Sequence, residues 1–93
     1  MSSLDIIATK IIKEQELVIG PLAWSEARKV NGLSVIDDKT GTVSISGDSR
    51  TIVDLLVGRY ERLFGRAAQE VCRDAVRSLI VNMPPTEIPT SLR

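Results

Sequence analysis

Residues 33–46 read LSVIDDKTGTVSIS, and how this stretch is read decides the fold. Val43 and Ile45 alternate with Thr42, Ser44 and Ser46. That is the period of two that sends successive side chains to opposite faces of a strand. Leu33 and Val35 alternate in the same way, although Ile36 blurs the pattern. Between the two runs lies Asp37-Asp38-Lys39-Thr40-Gly41. Asp opens turns by bonding to nearby backbone, and Gly41 can take the positive φ of a bulge after a type I turn. The spacing predicts a β-hairpin, 33–37 with 42–46.

On both sides of the hairpin the period changes to that of a helix. In 4–19 the residues Leu4, Ile7, Ala8, Ile11, Ile12, Gln15, Val18 and Ile19 recur at three- and four-residue spacing, with Lys10, Lys13, Glu14 and Glu16 mostly off the stripe. This predicts an amphipathic helix. Ser2 or Ser3 suits its N-cap, and Ser2 with Asp5 has the form of a capping box. Gly20-Pro21 interrupts it, and proline suits the first turn of a new helix. The second helix is read over 21–30, with Leu22, Ala23, Ala27 and Val30 inward and Asn31-Gly32 as its terminator.

After the hairpin, Asp48 or Ser49 serves as the N-cap of the helical second half. Ile52, Val53, Leu56, Tyr60, Leu63 and Phe64 form one apolar stripe; Ala68, Val71, Cys72, Ala75, Val76, Leu79 and Ile80 form the next. At roughly 100° per residue, the two stripes point roughly 90–100° apart, and Gly65 sits at the shift. Two helices are expected, 49–64 and 66–82, with one continuous helix whose apolar face wraps round as the alternative. Pro84-Pro85 stops the second of them. The expected organisation is a single α+β domain over 1–83, in the order helix–helix–β-hairpin–helix–helix, and an extended tail over 84–93. A lone two-stranded hairpin is marginal. It must be packed on helices, or extended across a homodimer by a strand from a second copy.

Composition removes most familiar chemistries. The chain of 93 residues has no histidine, one cysteine, and twelve acids against twelve bases. No imidazole is available to activate a Ser or Cys nucleophile or to build the usual zinc site. Phosphate-loop and dinucleotide fingerprints are missing. Asp37 and Asp38 do not make a calcium loop, because Lys39 stands where a carboxylate is needed. Glu70 and Asp74 share a helix face, but with Arg66, Arg73 and Arg77 around them they read as salt-bridge lacing. Cys72 lies in an apolar stripe and reads as a small core residue. Ser49 reads as a helix cap. No enzyme activity, metal or cofactor is expected.

Aliphatic residues must build the core, since the aromatics are only Trp24, Tyr60 and Phe64. A lone thiol suits a reducing compartment. No stretch approaches the ~18 apolar residues of a membrane span, and the start of the chain lacks a secretory leader's pattern. A cytoplasmic protein is expected. Two surface features remain. Trp24 reads first as a residue at the edge of the core; the other reading is that, with Ile88 and Leu92 of the tail, it contacts a protein partner. Arg59, Arg62, Arg66, Arg73 and Arg77 would form one stripe if their helix were continuous, and the arginine fork suits anions. Zero net charge and scarce aromatics argue against nucleic acid. The leading expectation is a small non-enzymatic interaction or regulatory module, homodimeric or bound to another protein. An anion-binding or nucleic-acid-binding module is the alternative, and a carboxylate-based enzyme comes third.

Overall fold

The computed structural model describes residues 3–37 and 39–93. It is an α+β fold in the order α1 (Ser3–Ile19), α2 (Leu22–Ala27), β1 (Leu33–Asp37), β2 (Thr42–Ile45), α3 (Ser49–Phe64) and α4 (Arg66–Ile80), followed by two 3₁₀ turns, Pro85–Glu87 and Thr90–Leu92. The Ser2–Asp5 capping box and the Asp38 part of the hairpin turn fall outside the described residues.

The hairpin has the expected strands, and its irregularity has a cause. Val35 pairs with Val43, but Asp37 pairs with Thr42, so Ile36 is an extra residue without a partner in the antiparallel register. That bulge explains why Ile36 broke the alternation and why it is exposed. The Asp37 side chain accepts the Lys39 backbone N–H at 2.9 Å, and the Gly41 N–H donates to the Asp37 carbonyl at 2.9 Å. Gly41 takes φ 79°, which closes the turn at no steric cost. The hairpin packs on helices: β2 lies on α1, and β1 reaches α2.

Gly65 separates α3 from α4 at φ 83°, ψ −174°. This region is open essentially to glycine alone. The apolar phase shift therefore marks a true chain break. α4 then packs against both α1 and α3. Ile7, Ile11 and Ile12 of α1, Val53, Leu56 and Tyr60 of α3, and Cys72 and Val76 of α4 are fully buried together.

Several inward assignments are corrected. α2 ends at Ala27, not residue 30; successive N–H groups then reach only three carbonyls back, Lys29 to Glu26 and Val30 to Ala27. Val30 is still buried, but Leu22 in the first turn of α2 is exposed. Val18, Leu63, Phe64 and Leu79 also lie at the surface despite their phase. All four sit in the last turns of their helices, where the stripe runs past the elements that would cover it. α4 ends at Ile80, two residues short of the expected boundary.

The tail is the largest correction, because it docks and does not extend. Leu92 and Pro89 are fully buried, and the last 3₁₀ turn packs against α3 and α4. The Asp54 carboxylate accepts the Thr90 N–H at 3.3 Å, the Ser91 N–H at 3.0 Å and the Ser91 hydroxyl at 2.6 Å. Gln69 Nε2 donates to the Ser91 carbonyl at 3.2 Å, and Arg50 donates to the Thr86 carbonyl. The radius of gyration is 11.7 Å, close to the ~12 Å of a compact chain of this length, so no segment projects far.

Candidate interaction surface

The partner-binding residues expected from sequence are mostly internal. Trp24 is 3% exposed in the core, and its Nε1 has no hydrogen-bond partner among the described residues. Leu92 is buried and Ile88 is half-buried against the core. Both residues hold the tail down; Leu92 is not offered to solvent, and Ile88 is so only in part.

The arginines divide at Gly65. Arg59 and Arg62 belong to α3, and Arg66, Arg73 and Arg77 to α4, so the single stripe that a continuous helix would have made is absent. Arg73 pairs with Glu70 at 3.5 Å, and Arg77 with Asp74 at 2.6 Å, both within one exposed turn. Such pairs are worth little on a solvated face. Arg59 differs. Its Nε and Nη2 both donate to Glu26 Oε1, at 3.0 and 2.9 Å, while Lys29 Nζ donates to Glu26 Oε2 at 2.9 Å. Glu26 is buried, and the hydrogen bond from Lys29, then those from Arg59, hold its carboxyl below the usual carboxylate range against the opposing effect of burial. The sequence reading passed over Glu26. Its signal was spacing: it lies three residues after Ala23 and four before Val30, on the buried side of the α2 region.

Two further polar contacts tie the interior together. Gln15 is buried, and its Nε2 donates to the Ala68 carbonyl at 2.9 Å and to Cys72 Sγ at 3.3 Å, joining α1 to α4. The Tyr60 hydroxyl donates to the Ala23 carbonyl at 2.7 Å, joining α3 to α2. Burial pushes the Cys72 thiol up to about 11 and raises the Tyr60 phenol well above its ordinary range. A protonated buried thiol is a poor nucleophile. Among the described residues no cluster of three or more His, Cys, Asp or Glu could hold a metal ion. No described helix is long and apolar enough to cross a membrane.

The outer side of α1 carries the feature that sequence reasoning missed. Ile6, Lys10, Glu14 and Val18 follow one another at four-residue steps and form a ridge, with Leu17 beside it. Leu17 is 81% exposed, Val18 67% and Ile6 45%. Lys10 and Glu14 pair at 3.1 Å in the middle. A groove of about 560 Å³ runs beside this ridge, with Val71, Asp74, Ala75 and Ser78 of α4 on its other wall. Leu79, 40% exposed, approaches Ile6 and Ile7 at the far end. Ile6 and Leu17 fall outside the core stripe, and apolar residues off the core stripe were the available signal. No family model matches the chain, and no curated protein or solved structure resembles it.

Proposed function

We propose that this chain is a non-enzymatic protein-interaction module that pairs with a second copy of itself through α1. The supporting observation is the self-complementary order of the ridge. In an antiparallel pairing of two α1 helices about a two-fold axis near residue 12, Ile6 faces Val18 of the other copy and Lys10 faces Glu14. Interdigitated ridges of this four-residue kind are the commonest helix packing in globular proteins. A pairing along the neighbouring Ile6–Lys10–Lys13–Leu17 row would set Lys10 against Lys13, and like charges disfavour it. The chain's zero net charge removes long-range repulsion between copies. The single protonated thiol fits work in the cytoplasm.

The magnitude makes this a transient pair. The exposed fractions of Ile6, Leu17, Val18 and Leu79 amount to a little over two full side chains per copy. At about 2 kcal/mol per buried side chain, a symmetric pair gains roughly 9 kcal/mol. Association costs at least about 4 kcal/mol. At that minimum cost the remainder corresponds to a dissociation constant on the order of 0.1–1 mM, the tightest this surface supports.

Sedimentation equilibrium of Lys10→Glu and Glu14→Lys tests the register. Each variant alone places like charges across the two-fold axis and should stay near the 10.2 kDa chain mass. An equimolar mixture restores both ion pairs and should approach twice that mass at millimolar concentration, with unchanged far-UV ellipticity throughout. A wild type that stays monomeric at 2 mM, or a mixture no heavier than its components, refutes the pairing.

A further inference from the structure

We infer that the groove between α3 and the turn that follows α2 is a binding site for a phosphate-type oxyanion, held by Lys29, Arg59 and Arg62. The groove has a volume of about 250 Å³, many times the ~10–15 Å³ that one water needs. It is lined by Lys29, Val30 and Asn31 on one side and by Leu55, Gly58, Arg59 and Arg62 on the other, with Asp54 also at its wall.

Three observations converge there. The first is preorganisation. Lys29 and Arg59 grip the two oxygens of one buried carboxylate, so their nitrogens are held a few ångström apart. Each keeps donors that Glu26 does not use: two of the three on Lys29, and three of the five on Arg59, the Nη1 pair and the second Nη2 hydrogen. The second is unspent charge. Arg62 is one turn along the same face of α3, and among the described residues no ion pair engages it. Three cations against Glu26 and Asp54 leave one net positive charge at the groove. The Asp54 carboxylate is occupied by three donors of the tail.

The third is Gly58. Glycine within a helix costs stability relative to alanine. Nothing in the fold requires it, since its φ is not positive and an added Cβ would meet no atom within 4 Å. What its missing side chain leaves is open space in the lining of the groove. An oxyanion seated there would take hydrogen bonds from Lys29, Arg59 and Arg62 together, the charge-assisted kind that arginine forks make best. This site is remote in sequence from the α1 ridge and does not depend on the pairing of copies.

The test uses the whole chain, with inorganic phosphate and glycerol phosphate as separate probes, followed by the arginine Nε–H and backbone amide NMR signals at low salt. Saturable shifts centred on Arg59 Nε, Arg62 Nε and Gly58 are expected, with half-saturation at low millimolar phosphate. A response to glycerol phosphate but not to the free ion would assign the site to a phosphate carried on a ligand; a response to both, to the phosphate group itself. Arg62→Gln should weaken binding at least fivefold, while Arg73→Gln should leave it unchanged. Gly58→Leu favours the helix and fills the groove, so it should fold at least as well and bind at least tenfold more weakly. No saturable shift up to 50 mM of either probe, equal losses in the Arg62 and Arg73 variants, or unimpaired binding by Gly58→Leu overturns the assignment.

Discussion

Alkaline pH should destabilise this protein in large part through one buried thiol, and removing that thiol should weaken the effect. Cys72 is fully buried, and burial shifts its pKa from about 9 to about 11, even though the hydrogen bond from Gln15 favours the thiolate. The sign follows from proton counting. Between pH 9 and 11 the unfolded chain has released the thiol proton and the folded chain still holds it. Stability is therefore complete below pH 9 and falls as pH rises toward 11. At about 1.4 kcal/mol per unit, the loss is roughly 2–3 kcal/mol by pH 11. Tyr60 adds a loss of the same sign above pH 10, which the variant keeps in its larger part, because burial raises the phenol first and the neighbouring Cys72 only second. Cys72→Ala should cost about 1 kcal/mol at pH 7 for one small buried group. Its stability should then fall less steeply, so that the two curves cross near pH 10. Urea unfolding followed by far-UV ellipticity at half-unit steps from pH 7 to 11 measures this, and native thiol labelling far slower than labelling in denaturant should accompany it. Parallel curves for wild type and Cys72→Ala would refute the buried, protonated thiol and the inward face assigned to α4.

Two further substitutions probe features of the backbone and the tail. Gly65→Ala should cost about 1–3 kcal/mol purely through backbone strain, because an added Cβ meets no atom within 4 Å; unchanged stability in thermal or urea unfolding would show that α3 and α4 join differently. Leu92→Ala should cost about 2–5 kcal/mol, since the side chain is fully buried beneath the last 3₁₀ turn. At ~4–8 °C per kcal/mol, this lowers the melting temperature by at least about 8 °C, and a shift under 4 °C would mean that the tail does not dock in solution.

Local order in this chain was legible without its structure. The two periods, 2 over residues 33–46 and 3.6 elsewhere, define the strands and helices because each reports which side chains share a face. Gly65 could be located from the turn of the apolar stripe, since a straight helix cannot aim its face in two directions. Buried Cys72 and Gln15 followed from the same stripes. Tertiary packing decided what periodicity cannot express. A stripe gives the direction of a side chain but not whether a neighbour reaches it, so Val18, Phe64 and Leu79 have core phase and surface exposure. The tail carries too few apolar residues to form a core of its own, and it folds only because α3 and α4 offer a place for Leu92 and a carboxylate, Asp54, for its N–H groups. Glu26 shows the same division. Its phase alone could have placed it inward. Only the crossing of α2 by α3 brought Arg59, 33 residues away, to share that carboxylate with Lys29. A buried charge is tolerated only where such a partner arrives, and local spacing carries no information about contacts so distant in sequence.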